Sequence, residues 1–193
     1  KSLLVKLYRF KSPALAGLFY FLFMKIRVAI NGFGRIGRVF FRSIYNHPYI
    51  EVVAINDLAD VITMAHLLKY DSVHGQFDAN IRTSEDKLIV DEKSIAFYSI
   101  ADPKQLQWKK LDVDIVIEAT GLFRTEDSLR LHLSAGAKKV IVSSPSIDNL
   151  IPTVVMGIND HILNGDEQII SNASCTTNCS APLVQLIDEH FGI

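Results

Sequence analysis

The stretch IRVAINGFGRIGR, residues 26–38, decides the fold, because an apolar strand pattern runs directly into a glycine-rich turn that opens a helical pattern. The turn contains Gly32, Gly34 and Gly37 at the spacing G-x-G-x-x-G, and Asp57 closes the next strand pattern 20 residues after Gly37. A strand before the glycines, a helix after them and an acid at this distance are the context of a dinucleotide-binding turn. The stretch therefore predicts a dinucleotide site.

Each part of the turn has a physical role at such a site. We expect Gly32 to permit the tight turn, Gly34 to let the main chain approach a pyrophosphate, and Gly37 to let the helix pack closely on the strand. The start of the helix offers unpaired N–H groups to the anion. A carboxylate at Asp57 accepts hydrogen bonds from ribose hydroxyls and repels a 2′-phosphate, which favours NAD over NADP. The alternative is an ordinary strand-to-helix turn, with Asp57 as a cap.

Outward from this stretch, short runs rich in Val and Ile alternate with helical patterns, which is typical of βαβ units and a parallel sheet. The predicted fold is α/β, a Rossmann-type, mostly parallel sheet with helices on both faces. The predicted strands are 26–30, 52–55, 113–117 and 140–142; the predicted helices are 35–45, about 59–69 and part of one at 129–133; and 88–90 with 95–98 forms a hairpin.

Composition excludes several classes of protein. The 193 residues carry 20 Lys and Arg against 21 Asp and Glu, for a formal net charge of -1. This balance lacks the basic excess that binds a nucleic-acid backbone, so we expect no nucleic-acid partner. The two cysteines form no disulfide framework and no zinc ligand set, which favours a reducing, cytoplasmic setting and no metal site.

Residues 1–23 differ from the rest, with four basic residues and no acid. The apolar run 14–23 resembles the core of a signal peptide, yet it is too short to span a bilayer and no small-residue cleavage site follows it. We interpret residues 1–23 as an extension outside the fold, translated upstream of a start at Met24, and expect no membrane partner. A targeting or membrane-surface segment is the alternative.

The second chemical motif is SNASCTTNC, residues 171–179, which precedes an apolar helical pattern at Leu183, Leu186 and Ile187. Ser and Asn are helix-start residues, so we expect Cys175 in or beside the first turn of a helix. Peptide dipoles and unpaired N–H groups there favour the thiolate and can stabilise an oxyanion.

Two other residues of this segment bear on that interpretation. Cys179, one turn further on, is open to the plain interpretation of a small buried apolar residue. Pro182 predicts either irregular first turns or a kink, because an interior proline is costly in a helix.

Both motifs closely resemble the phosphorylating glyceraldehyde-3-phosphate dehydrogenases, and the resemblance runs from Met24 to Ile193. It also includes Ala54-Ile55-Asn56-Asp57, Leu67-Leu68-Lys69-Tyr70-Asp71-Ser72, Ala119-Thr120-Gly121-Leu122-Phe123 and Gly136-Ala137-Lys138-Lys139. It implies that Cys175 attacks the aldehyde of glyceraldehyde 3-phosphate, that hydride passes to NAD, and that inorganic phosphate cleaves the thioester to give 1,3-bisphosphoglycerate in glycolysis.

The resemblance also implies site residues. Ser174, Cys175 and Thr176 would contact the substrate. The expected cofactor contacts are Gly32, Phe33, Gly34, Arg35, Ile36, Gly37, Asp57, Thr120 and Ser143. One departure is Ala101, where relatives often carry Arg.

The implied organisation is an NAD-binding domain at 24–173, followed at 174–193 by the first helix of a truncated catalytic domain. The family's downstream general-base His is absent, so we expect no turnover from this chain alone, an exposed apolar helix face, and a homotetramer only at full length. Erythrose-4-phosphate dehydrogenase and a non-catalytic NAD-binding module are the alternatives.

Overall fold

The computed structural model describes residues 25–193, and a central sheet dominates this part of the chain. In chain order the elements are β1 Ile26–Asn31, α1 Arg35–Ile44, β2 Ile50–Asn56, α2 Val61–Lys69, β3 Tyr70–Asp71, β4 Gly75–Gln76, β5 Ile81–Ser84, β6 Lys87–Val90, β7 Lys93–Tyr98, β8 Ile115–Glu118, α3 Glu126–Ser134, β9 Lys139–Val142, β10 Ile169–Ser171 and α4 Cys175–Phe191. Short 3-10 helices lie at Pro103–Gln105 and Asp160–Ile162.

The sheet has the strand order β10-β9-β8-β1-β2-β7-β6-β5. The pairs from β10 to β7 are all parallel, and β6 and β5 continue the sheet as an antiparallel meander. The chain runs outward from β1 through β2 to β7, and returns to the other side of β1 with β8. The order of the strands therefore reverses between β1 and β8, as in doubly wound dinucleotide-binding sheets.

Helices cover both faces of this sheet. On one face Val28 and Ile117 belong to the same apolar cluster as Ile44 of α1. On the other face Ala29 and Val116 cluster with Leu129 of α3 and with other buried residues. Alternate residues of each strand point to opposite faces, so both layers of helices bury apolar side chains. The predicted fold class is confirmed.

The boundaries of the elements differ from the prediction where side chains cap the helices. Helix α2 begins at Val61 instead of residue 59, because the Asp60 side chain accepts a hydrogen bond from the Thr63 amide. Helix α3 begins at Glu126 behind a capping box made by Thr125 and Ser128. The sequence patterns missed β5 and the three-residue β10, since neither has the apolar alternation of a longer strand.

The predicted extension at 1–23 lies outside the described residues. Within 25–193, none of the helices combines the length and the apolar character needed to span a bilayer.

Candidate functional site

A crevice opens at the carboxyl ends of the central parallel strands, where the strand order reverses. Its volume is about 340 Å³, within the range of ligand pockets. Open α/β sheets bind ligands at this place, because the connecting loops on either side separate there. The residues that line it are Asn31, Gly32, Gly34, Asn56, Asp57, Leu58, Ile100, Ala101, Ala119, Thr120, Leu122 and Phe123.

The three glycines of the turn occupy different environments. Gly32 has φ +89°, and a Cβ there would lie 2.6 Å from the Thr120 amide nitrogen, so both conformation and space require glycine. A Cβ on Gly37 would lie 2.2 Å from the Gly32 carbonyl oxygen and 3.1 Å from the Ile30 side chain of β1. A Cβ on Gly34 would meet no atom within 4 Å, so this main chain faces open space at the crevice. The geometries of Gly32 and Gly37 fit a tight turn and close packing of the helix on the strand, and the approach of a pyrophosphate at Gly34 stays a prediction.

Asp57 connects the turn to the end of β2. Its Oδ2 accepts a hydrogen bond from the Phe33 amide at 2.7 Å, and its Oδ1 accepts one from the Ala59 amide at 3.0 Å. Each carboxylate oxygen keeps a second acceptor position, and the residue lines the crevice. The Phe33 side chain is fully buried, and its amide is used by Asp57. The Phe33 amide is therefore already engaged, and it does not supply the cofactor contact expected of this residue.

The first turn of α1 faces the same edge of the sheet. Gly34 is the N-cap residue, and neither a side-chain cap nor an acidic residue occupies the first turn. Arg35 and Ile36 are exposed, but their side chains are not among those that line the crevice. The group this turn offers to an anion is main-chain N–H at the positive end of the helix.

Arg38 of α1 stabilises the glycine turn through a side-chain hydrogen bond. Its Nη1 donates to the Phe33 carbonyl oxygen at 2.9 Å. Burial lowers the pKa of this guanidinium, and the negative charges of Asp71 and Asp57 oppose the shift. The sequence patterns did not single out Arg38. The available signal was an arginine at the fourth position of the helix that follows the glycine turn.

Thr120 and Ser143 follow neighbouring strands but differ in position. Thr120 lines the crevice. Ser143 follows β9, where its amide donates to the Glu118 carbonyl oxygen at 2.9 Å, and its side chain is not among the lining residues.

A buried polar network below the crevice was missed by the sequence patterns. Glu118 and His132 are 0% exposed, and His132 Nε2 lies 3.0 Å from Glu118 Oε2. Asn31 and Asn56 join this network from the ends of β1 and β2. The available signal was a glutamate closing the apolar run Ile115-Val116-Ile117, since such a residue is rarely buried without partners.

The second motif forms the start of α4, as expected. Ser174 is the N-cap residue, and its Oγ accepts a hydrogen bond from the Thr177 amide at 2.9 Å. Cys175 is the first residue of the helix and is exposed, as is Thr176. Both peptide dipoles and first-turn N–H groups are therefore close to an accessible thiol.

The segment before Cys175 is held in an uncommon conformation. Ala173 has φ +57°, a region that non-glycine residues rarely adopt. Its amide donates to Ser171 Oγ at 3.1 Å, and the Asn178 side chain donates to the carbonyl oxygens of Asn172 and Ser174 at 2.8 and 2.9 Å. These bonds fix the direction in which the chain enters the helix.

One expectation about α4 needs correction: Cys179 is exposed, so its interpretation as a buried apolar residue is wrong. Of the two alternatives stated for Pro182, irregular first turns are not observed, because the Asn178 amide donates to the Ser174 carbonyl oxygen at 3.0 Å. Helix α4 continues through Pro182, and a kink at that residue stays a prediction. The predicted exposure of the apolar face is confirmed, because Leu183, Leu186 and Ile187 are 58%, 55% and 49% exposed.

Cys175 and the crevice share one edge of the sheet. Strand β10, which leads to Cys175, is parallel to β9, and the parallel series extends to β1 and β2. Cys175 itself is not a lining residue of the crevice. Within residues 25–193, neither thiol forms a hydrogen bond with a histidine, and no cluster of His, Cys, Asp or Glu is arranged to hold a metal ion.

Comparisons with known proteins agree with this geometry. Residues 26–126 match the family described as glyceraldehyde 3-phosphate dehydrogenase, NAD binding domain. Glyceraldehyde-3-phosphate dehydrogenases from Thermotoga maritima and Buchnera aphidicola are 56% and 54% identical over 169 and 170 residues, covering 86% and 88% of this chain and 50% and 51% of the relatives. The enzyme of that name from Mycoplasma pneumoniae is 50% identical over 168 residues, which are 87% of this chain and 50% of the relative.

The chain thus spans about half the length of the curated relatives it matches. These matches confirm the family resemblance and the prediction of NAD as the cofactor.

Proposed function

The chain belongs to the glyceraldehyde-3-phosphate dehydrogenase family, and from this premise we propose that it carries the NAD crevice and the nucleophilic cysteine of the phosphorylating enzyme. The observation that carries the proposal is an exposed Cys175 at the start of a helix, on the sheet edge that also bears the glycine turn and Asp57. A protein that only binds a dinucleotide has no use for a thiol at that place.

The residues of the crevice fit a dinucleotide. The open space at Gly34 admits a pyrophosphate close to the main chain, beside the uncapped first turn at Arg35 and Ile36. Asp57 keeps acceptor positions for the ribose hydroxyls. Thr120 lines the crevice on the β8 side, and Asp57 lines it on the β2 side. We include Ser143, the residue after β9, in the cofactor environment of the complete enzyme. When bound, NAD supplies a hydride acceptor for the substrate carbon.

The chemistry of Cys175 follows from its position. Its thiolate attacks the aldehyde carbon of glyceraldehyde 3-phosphate, and the carbonyl oxygen becomes the oxyanion of a thiohemiacetal; collapse of this oxyanion with loss of hydride from the same carbon leaves a thioester. Inorganic phosphate then attacks the thioester carbon, which releases 1,3-bisphosphoglycerate and restores the thiolate. First-turn N–H groups are suited to the oxyanion, and Ser174 and Thr176 supply hydroxyl groups for substrate or phosphate.

Within residues 25–193, no histidine lies beside the Cys175 thiol to act as its general base. His190 lies 15 residues along α4 from Cys175, which is about 22 Å at the helical rise. His132 is buried against Glu118. We therefore include in the proposal that the 193 residues alone do not turn over, and that 174–193 begins a catalytic domain that follows an NAD-binding domain at 24–173.

The complete protein would work in glycolysis as a homotetramer in the cytosol. The relative from Trypanosoma brucei is itself named as a cytosolic enzyme.

Calorimetric titration of the chain with NAD tests the cofactor site. The Gly34→Val variant should bind NAD at least about tenfold more weakly, because its side chain enters open space that the pyrophosphate needs. The Ser43→Val variant, an exposed change at the other end of α1, should bind as the wild type does. Equal affinities for all three proteins would contradict the assignment of the crevice.

A chimeric enzyme tests the chemistry. Residues 1–193 joined to the second half of the Thermotoga maritima relative should form NADH from glyceraldehyde 3-phosphate and inorganic phosphate. Cys175→Ser should lower the rate by at least about a thousandfold, since a nucleophile is lost, and the matched Cys179→Ser should not. Preference for erythrose 4-phosphate, or activity of the 193 residues alone above a Cys175→Ser control, would overturn the corresponding part of the proposal.

A further inference from the structure

The buried carboxylate of Glu118 accepts hydrogen bonds from three residues. Its Oε2 accepts from Asn31 Nδ2 at 2.6 Å and faces His132 Nε2 at 3.0 Å. Its Oε1 accepts from the Thr120 amide at 2.7 Å and from the Thr120 hydroxyl. Glu118 and His132 are both 0% exposed, so bulk solvent does not reach either side chain.

The direction of these hydrogen bonds is fixed from one side by Trp108. The indole N–H can only donate, and it donates to His132 Nδ1 at 3.1 Å. Nδ1 is therefore the acceptor nitrogen of the ring, and the proton lies on Nε2. His132 consequently donates to Glu118 and cannot accept from it while Trp108 is in place.

The direction is fixed from the other side by the main chain of Ile100. Its amide donates to Asn56 Oδ1 at 2.9 Å, and its carbonyl oxygen accepts from Asn56 Nδ2 at 2.9 Å. This leaves Asn56 Nδ2 to donate to Asn31 Oδ1 at 2.7 Å, so Asn31 presents its own NH₂ group to Glu118. One chain of hydrogen bonds runs from Trp108 through His132, and the other runs from Ile100 through Asn56 and Asn31. Both chains end with a donor facing Glu118, which a carboxylate satisfies because both of its oxygens accept.

This network connects the protein interior to the crevice. Asn31, Asn56, Ile100 and Thr120 line the crevice, whereas Glu118, His132 and Trp108 lie beneath it and do not. Through its four hydrogen bonds Glu118 determines where the Thr120 amide and hydroxyl and the Asn31 amide lie. A preorganised binding surface costs less ordering when its ligand binds.

We propose that Glu118 is a positioning residue for NAD, which holds Thr120 and Asn31 at the floor of the crevice while Trp108 and His132 fix the polarity of the hydrogen bonds. The inference rests on the proposed function of the crevice. It has a built-in reporter, because Trp108 is the single tryptophan of the sequence and is fully buried at the end of the network.

The test compares two buried carboxylates at opposite ends of the same strand, using calorimetric NAD titration of the full chain. Glu118→Gln should raise the NAD dissociation constant about tenfold or more. The NH₂ group of the glutamine must face either the Asn31 and His132 donors or the Thr120 donors, and a donor facing a donor loses its hydrogen bond. Asp114→Asn is the matched control. Asp114 is 4% exposed and accepts from the Arg27 amide and Lys138 at the other end of β8, so this change should lower stability and leave NAD affinity unchanged.

A second substitution separates positioning from general damage. In Glu118→Gln/Trp108→Phe the His132 ring is free to take the other tautomer and accept from the new NH₂ group, whereas Asn31 still faces that group as a donor, so the recovery is partial. This double variant should recover at least about threefold of the lost affinity, although it also removes a buried indole. A destabilised fold has no reason to recover affinity after a second core substitution.

A measurement on the wild type remains informative if the variants do not fold. Titration with NAD should change the Trp108 emission with the same midpoint as the calorimetric titration, because ligand contacts to Thr120 and Asn31 polarise, without rearranging, the hydrogen-bond chain that ends at Trp108. An unchanged emission, or equal losses of affinity in Glu118→Gln and Asp114→Asn, would overturn the inference while leaving the NAD crevice intact. A wild-type chain that does not bind NAD would overturn the proposed function and this inference with it.

Discussion

The carboxyl end of β8 carries the proposed positioning residue and the first turn of α4 carries the proposed nucleophile, and the two regions are built in opposite ways. Glu118 is fully buried and receives four hydrogen bonds. Cys175 is exposed, on a helix that has no buried residue. Packing inside the sheet therefore fixes the floor of the crevice, whereas the orientation of Cys175 depends on local hydrogen bonds at the helix start.

Those local bonds involve few residues. Ser174 caps the helix, Asn178 reaches back to the carbonyl oxygens of Asn172 and Ser174, and Ser171 accepts from the Ala173 amide. The apolar side of α4 contributes little to its anchoring, because Leu183, Leu186 and Ile187 are about half exposed. An apolar face of this kind is typical of a surface that another part of a protein covers.

The same substitution in the two regions gives the largest expected contrast. Leu129→Ala on α3 should lower the free energy of unfolding by about 2–5 kcal/mol, because Leu129 is 0% exposed and leaves a cavity. Leu186→Ala on α4, at 55% exposure, should change it by less than about 0.5 kcal/mol. Urea unfolding measures both, and similar losses would contradict the idea that α3 is held by packing and α4 is not.

The glycine turn offers a second contrast inside the sheet region. Gly32→Ala should destabilise the protein by about 1–3 kcal/mol, because the residue has φ +89° and its Cβ would meet the Thr120 backbone. Gly34→Ala should stay within about 0.5 kcal/mol of the wild type, since a weaker helix cap is offset by a less flexible unfolded chain. Equal effects in thermal unfolding would show that the turn is not held against β8.

The sheet region also holds a buried phenol whose titration should appear in stability. Burial, and then the hydrogen bond to Asp91, raise the pKa of Tyr45. A raised pKa in the folded state stabilises the protein below the unfolded value, near 10, and this contribution is lost as the pH rises above it. The stability advantage of the wild type over Tyr45→Phe should therefore shrink between about pH 9 and 12. Parallel curves from urea unfolding across this range would contradict the shift.

The smallest expected effect compares the two thiols of α4. Cys175 is at the first helical position and Cys179 is one turn further on, and both are exposed. Stabilisation of an anion at a helix N-terminus is worth about 0.3–1 kcal/mol, so iodoacetamide should modify Cys175 about two to five times faster. Mass spectrometry of one sample measures both rates. Equal rates would mean that the helix start does not activate Cys175.

Much of the fold could be predicted from sequence because its signals are local. The strands at 26–30 and 140–142 and the helix from residue 35 follow from apolar periodicity and turn residues. The positions of Cys175 and Gly32 were predicted for the same reason, since helix starts and positive-φ turns have local chemistry. The limits of α2 were less accurate, because the sequence patterns indicated only Asp57 as a cap, whereas in the structure Asp60 caps the helix.

The family, the dinucleotide turn and the place of Cys175 at a helix start could be recognised from the sequence, because each depends on residues adjacent along the chain. The meeting of Glu118, His132 and Asn31 beneath the crevice, and the hydrogen bond from the Phe33 amide to Asp57, became visible only in the folded structure. These contacts join residues that are far apart in the sequence. Glu118 and Asn31 are 87 residues apart and become neighbours only when β8 pairs with β1, which no local pattern contains.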